Sequence, residues 1–109
     1  MLFIEASSFT RRIAELRAEE QLRELQNLLL ARPGVGDVIP GLDGLRKIRM
    51  SLPGRGKRGA ARVLYLYFMV ADKIFFLLVY TKNEFEELPS EVKKALKVKI
   101  AELRREFEK

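Results

Sequence analysis

Seven basic side chains and no acidic one lie between Gly44 and Arg62, in a chain of 109 residues whose net charge is +6. A block of one sign repels itself, which suggests that it meets a polyanionic partner. The alternative is a solvated hairpin whose basic side chains keep an exposed strand edge soluble. The basic residues of the block are Arg46, Lys47, Arg49, Arg55, Lys57, Arg58 and Arg62.

The spacing of four cations favours chemistry on phosphate. Alternation places Lys47 and Arg49 on one face of a strand, about 7 Å apart. Arg62 opens the next strand, and Lys82 ends the strand after that. If the three strands pair in order, these side chains converge at one end of a small sheet. Fixed ammonium and guanidinium groups there would stabilise the charge that develops when an RNA 2′-hydroxyl attacks the adjacent phosphate.

Other residues near this site are predicted to bind RNA or the ribosome without reacting. The glycine-rich tip carries Arg55, Lys57 and Arg58, where mobility suits docking. Tyrosines in strands are more often packing residues, but those on the predicted meander can also stack on bases. The remaining predicted contacts are Arg46, Tyr65 and Tyr80.

Composition excludes several kinds of site. The chain contains no cysteine and no histidine, so thiolate nucleophiles, disulfides and the commonest metal ligands are absent. The segment GRGKRGAAR joins two predicted strands and lacks the serine or threonine that follows the lysine of a P-loop. The sequence therefore predicts no metal and no cofactor, and any catalysis must use carboxylates, lysine, arginine, tyrosine or hydroxyl groups.

The pattern of apolar residues predicts one α+β domain over residues 1–109. A short strand at residues 2–5 precedes two helices, near 8–17 and 19–31, with a bend between them. Residues 34–44 are predicted as a loop because they are rich in glycine. Three strands follow as an antiparallel meander, over residues 45–52, 62–70 and 74–81, with a turn at Asp72-Lys73. The predicted last helix begins near Leu88, and its apolar stripe is Leu88, Val92, Leu96, Ile100, Leu103 and Phe107.

The N-terminal residues lack the basic and then apolar order of a secretory signal. No segment reaches the roughly 20 apolar residues that a membrane-spanning helix needs. We therefore expect a cytoplasmic protein that makes no membrane contact.

Three segments together resemble one family. The stretches 44–49 (GLRKIR), 56–65 (GKRGAARVLY) and 80–84 (YTKNE), followed by a terminal helix, are similar to HigB-type toxins of the RelE superfamily. The resemblance runs from about Gly36 to Phe107. It implies a RelE-like fold and a ribosome-dependent messenger-RNA endonuclease, held inactive by a cognate antitoxin.

The resemblance also implies which residues act on the scissile phosphate. Position by position these are Lys47, Arg49, Arg62 and Lys82, with Asn83 beside the last. Some relatives carry a tyrosine general base after the fourth strand, whereas this chain has Phe85 there. The base is therefore left open between Lys47, Lys82, Tyr80 and a group of the ribosome.

Two other functions fit the same charge. A non-catalytic RNA- or ribosome-binding module would use the basic residues for phosphate contacts alone. A surface for an acidic protein partner would use them for ion pairing.

Overall fold

The computed structural model describes residues 1–54 and 59–108. Within these ranges the chain forms an α+β fold of three helices and five strands. In chain order the elements are β1 (Leu2–Glu5), α1 (Ser7–Leu16), α2 (Glu19–Ala31), β2 (Asp37–Val38), β3 (Arg46–Met50), β4 (Ala61–Phe68), β5 (Lys73–Thr81) and α3 (Ser90–Phe107).

The five strands form one mixed sheet in the order β1-β5-β4-β3-β2. The predicted antiparallel meander is confirmed, because β3 pairs with β4 and β4 with β5 in that sense. The N-terminal strand joins the far edge of the sheet parallel to β5, with Leu2 opposite Lys73. A β-bulge interrupts the β4–β5 ladder between Leu64 and Tyr65.

Helices cover both faces of the sheet. On the α1–α2 face, the two N-terminal helices pack on alternate strand residues such as Val63, Tyr65 and Phe76. On the opposite, α3 face, the C-terminal helix covers Leu64 and Leu66. The central strand β4 is therefore buried on both sides, as its continuous apolar run predicts.

The break between the first two helices lies where the apolar spacing predicts it. Arg17 adopts the left-handed conformation, with φ 53°. The backbone N–H groups of Arg17 and Ala18 then donate to the carbonyls of Ala14 and Ile13, each at 3.1 Å. These bonds satisfy the last carbonyls of α1 and turn the chain into α2.

The apolar stripe predicted for the last helix is also confirmed. All six of its residues pack against the core of the α3 face. No helix within the described residues is long and apolar enough to span a membrane.

Two predictions about connecting segments are wrong in detail. The predicted loop 34–44 contains strand β2, whose Asp37 and Val38 pair with Lys47 and Arg46. A strand of two residues is too short to show alternation, so the glycines dominate the sequence pattern. The turn after β4 comes earlier than predicted, because Asp72 has φ 54° and its N–H donates to the carbonyl of Met69.

Candidate nucleic-acid interface

Two arginines face each other at the centre of the basic hairpin. Arg49 on β3 is directly opposite Arg62 on β4, and Arg62 is in turn opposite Tyr80 on β5. Directly opposed residues have Cβ atoms about 4.5–5.5 Å apart. The β3–β4 pairing thus places two guanidinium-bearing side chains side by side on one surface.

Lys47 extends this pair along β3. It lies two residues before Arg49 and is opposite Leu64 of β4. The residue between them, Ile48, packs against the core of the α1–α2 face. Alternation therefore directs Lys47 and Arg49 toward the α3 face, where both are exposed. We call Lys47, Arg49 and Arg62 the cationic row.

No side chain of this row forms an ion pair within the part of the chain that the structure describes, although Asp37 of β2 lies opposite Lys47. The ion pairs found there involve other residues, and no carboxylate lies within 4.0 Å of the cationic nitrogens of the row. Arg62 donates from Nη1 to the carbonyl of Ala60 at 3.0 Å, which fixes one edge of its guanidinium. Like charges directly opposed destabilise a sheet, and an anionic ligand bound between them would offset this repulsion.

Lys82 and Asn83 lie in the turn that follows β5, and both are exposed. Thr81, just before this turn, is opposite Ala61, the residue before Arg62. The turn therefore leaves the sheet at the same end as the arginine pair.

Glu84 holds the turn in place. Its Oε1 accepts from the backbone N–H of Thr81 at 3.0 Å and from the Thr81 hydroxyl at 3.1 Å. The same oxygen accepts a hydrogen bond from Arg12 of α1. Burial raises the pKa of Glu84, but the bonds from Arg12 and Thr81 outweigh burial and leave that pKa below its ordinary value. The carboxylate thus stays ionised and ties the turn to α1.

Tyr80 is 4% exposed, and its ring meets the Phe85 ring edge-on with centroids 5.5 Å apart. Burial raises the pKa of Tyr80, and the nearby charge of Arg62 offsets this only in part. Its hydroxyl therefore stays protonated near neutral pH, which disfavours Tyr80 as a general base. The buried ring also leaves no free face on which a base could stack.

Tyr65 and Arg46 hold the connection before β2. Tyr65 is fully buried, and its hydroxyl accepts from the N–H of Gly36 and donates to the carbonyl of Pro33, both at 2.9 Å. Arg46 donates to the carbonyls of Gly34 and Gly36 at 3.0 and 2.8 Å. These contacts use the Tyr65 hydroxyl and Nη1 of Arg46 within the fold. That the two residues contact RNA stays a prediction, and the buried hydroxyl of Tyr65 argues against it for that residue.

A surface cavity of about 430 Å³ adjoins the cationic row at the edge of the sheet. It is lined by the three cations of the row and by the apolar residues Leu28, Val35 and Ile48. Asp37 of β2 also lines it. Sequence reasoning missed this cavity and Asp37, because the only local signal was a polar residue within a glycine-rich stretch.

The other predicted groups can be placed only in part. Arg55, Lys57 and Arg58 lie outside the described residues. Across residues 1–54 and 59–108, no three acidic side chains gather closely enough to hold a metal ion. The residues that the structure brings together are suited to binding phosphate, and the strongest candidates are Lys47, Arg49 and Arg62.

No known family model matches the chain. The similarity to HigB-type toxins therefore stays a prediction that depends on the three quoted segments.

Proposed function

We propose that this protein is a RelE-like, HigB-type toxin that cleaves messenger RNA on the translating ribosome and so inhibits translation. A cognate antitoxin would neutralise it. The observation that carries the proposal is the opposed pair Arg49 and Arg62, which forms no ion pair among the described residues and is flanked by Lys47. Each guanidinium group can donate two parallel hydrogen bonds to the oxygens of a phosphodiester.

The proposed reaction needs no metal. The 2′-oxygen of one nucleotide attacks the adjacent phosphorus and loses its proton to a base. The bond from phosphorus to the 5′-oxygen of the next nucleotide then breaks, and that oxygen takes up a proton. The products are a 2′,3′-cyclic phosphate and a 5′-hydroxyl. Arg49 and Arg62 would stabilise the additional negative charge on the phosphorane oxygens.

The structure bears on which groups could transfer protons in this reaction. A buried tyrosine with a raised pKa is a poor base at neutral pH, which argues against Tyr80 as the base. Lys47 on the row and Lys82 on the adjoining turn remain, together with groups of the ribosome. Lys82 and Asn83 are exposed at the same end of the sheet, where they would contact the RNA backbone.

Induction of the gene in a bacterial host, followed by mapping of transcript ends, tests this proposal. The wild-type protein should arrest translation and produce new ends with 5′-hydroxyl groups inside translated codons. Arg62→Ala should abolish both effects. The matched control is Arg23→Ala, since Arg23 is an exposed arginine on α2 outside the row. Toxicity and cutting that persist in a folded Arg62→Ala protein would exclude the row as the reactive site.

A non-catalytic RNA- or ribosome-binding module is the second candidate. The absence of histidine from the chain and the raised pKa of the buried Tyr80 favour it, because both leave fewer groups able to act as a base. This function predicts salt-sensitive RNA binding without strand scission. Arrested translation with intact transcripts would support it over the nuclease.

A further inference from the structure

The cavity beside the cationic row is lined by two chemically different sets of residues. Lys47, Arg49 and Arg62 supply positive charge. The apolar lining residues include Leu28 of α2, which is 40% exposed. The volume of about 430 Å³ lies within the range of small-ligand sites.

The cavity exists because β2 is short. β2 pairs with Arg46 and Lys47 only, so β3 has no β2 partner from Ile48 onward. Gly36, the residue just before β2, donates its N–H to the Tyr65 hydroxyl and is not paired with β3. A Cβ at this glycine would lie 2.8 Å from the Tyr65 hydroxyl oxygen, so a side chain there would displace the tyrosine or the strand. The opening is therefore built into the fold.

Asp37 introduces an acceptor into this otherwise cationic and apolar site. It lies opposite Lys47, and its carboxylate is exposed. In the described parts of the chain it takes part in no ion pair or side-chain hydrogen bond. An ionised carboxylate only accepts hydrogen bonds, so it selects ligands that present N–H or O–H donors.

We infer that this cavity is a nucleotide subsite in which Asp37 selects guanine. The inference rests on the proposed function, since it takes RNA as the ligand. A phosphate on the cationic row would place the attached base against Leu28, Val35 and Ile48, with its edge toward Asp37. Guanine presents two neighbouring donors, N1–H and the N2 amino group, which match the two carboxylate oxygens. Adenine and cytosine place an acceptor nitrogen beside their amino group, and the N–H of uracil lies between two carbonyls.

Binding of non-cleavable oligonucleotides tests this subsite apart from catalysis. We would measure fluorescence anisotropy with four pentanucleotides of sequence UUXUU, made with 2′-deoxy sugars that prevent attack on phosphate, where X is each base in turn. Wild-type protein should bind the guanine form roughly tenfold more tightly than the adenine form, because one bidentate contact gives discrimination of this order.

Two variants and a control define the role of Asp37. Asp37→Asn and Asp37→Ala should bind all four oligonucleotides within about threefold of one another. They should bind the adenine form as wild type does, or slightly more tightly, because a negative charge near phosphate has been removed. Glu102→Gln on α3 removes an exposed acid elsewhere and should retain the guanine preference. Thermal unfolding should show that all three variants are folded.

Equal wild-type affinity for the four bases would overturn the inference, and so would a guanine preference that survives in Asp37→Ala. Neither outcome bears on whether the protein cuts RNA. Conversely, a guanine preference that depends on Asp37 in a protein without nuclease activity would leave this subsite in place and exclude the proposed reaction.

Discussion

Arg49 and Arg62 are opposed across two neighbouring strands, a pairing that costs free energy in the isolated protein. Opposite charges at such positions contribute about 0.2–1 kcal/mol, and like charges act in the reverse sense. Since Arg62 also donates to the Ala60 carbonyl, its guanidinium is held in place before a ligand arrives. Pre-positioned charge of this kind stabilises a developing phosphorane better than mobile side chains would.

The buried Tyr65 hydroxyl allows a test of its structural role. Tyr65→Phe removes both of its hydrogen bonds and leaves the N–H of Gly36 and the carbonyl of Pro33 without their partner. We expect a loss of about 1–3 kcal/mol in the free energy of unfolding, measured by urea denaturation. A variant as stable as wild type would show that water replaces the hydroxyl at little cost.

Tyr67→Phe is the matched control, since Tyr67 is a half-buried tyrosine on the same strand with no side-chain hydrogen bond among the described residues. It should change the free energy of unfolding by less than about 0.5 kcal/mol.

At the scale of elements, the connection from β2 to β3 is fastened to the C-terminal helix. Arg104 of α3 donates from Nε to a carboxylate oxygen of Asp43 at 2.9 Å and from Nη2 to the Asp43 carbonyl. Leu42 and Leu45 on either side are buried in the core of the α3 face. This anchoring fixes where β3, and with it the cationic row, begins.

Alanine substitutions at two glycines of this connection distinguish the cost of backbone strain from the cost of a steric clash. Gly41 and Gly44 have φ of +78° and +88°, so alanine at either position costs about 1–2 kcal/mol. A Cβ at Gly44 would also lie 2.7 Å from Nη2 of Arg104, whereas nothing lies within 4 Å at Gly41. Chemical denaturation should therefore show a larger loss for Gly44→Ala, by up to about 1 kcal/mol. Equal losses would mean that Arg104 moves aside without cost.

The sequence predicts elements well where a long apolar period exists. The stripe of α3 repeats over five turns, and β4 is apolar at nearly every position, so both are recognised from local pattern. The strand β2 and the bulge after Leu64 were not predicted, because each depends on pairing with a distant segment and changes only one or two residues.

In the candidate site, too, some residues are predictable from local pattern and others depend on contacts between distant segments. The cationic row follows from alternation on β3 and from the position of Arg62 at the start of β4. The contacts of Tyr65 span 29 and 32 residues, and no local pattern reports such distances. Asp37 was missed for the same reason, since only the pairing of β2 with β3 brings it opposite Lys47.

At the scale of the whole molecule, the two helical layers leave the cationic row uncovered at one end of the sheet. RNA that binds there would contact the row through its phosphates, so its affinity should depend strongly on salt concentration. Each phosphate contact with single-stranded RNA contributes about −0.7 to the slope of log affinity against log salt concentration. Arg49→Ala should reduce the magnitude of this slope by about 0.7 in filter-binding titrations of an RNA oligonucleotide. Arg23→Ala should leave the slope as it is in wild type, and an unchanged slope for Arg49→Ala would remove Arg49 from the phosphate contacts.

The most direct test of ribosome-dependent messenger-RNA cleavage uses purified protein, purified ribosomes and one defined messenger RNA. Primer extension should reveal cuts within the codon held on the ribosome for wild-type protein, with 5′-hydroxyl and 2′,3′-cyclic phosphate ends. Arg62→Ala should give less than about a hundredth of the wild-type rate, since one lost charge-stabilising group typically costs about 10²–10³-fold. Intact messenger RNA with wild-type protein would contradict the proposed cleavage. Equal cutting by a folded Arg62→Ala variant would contradict the proposed role of the cationic row.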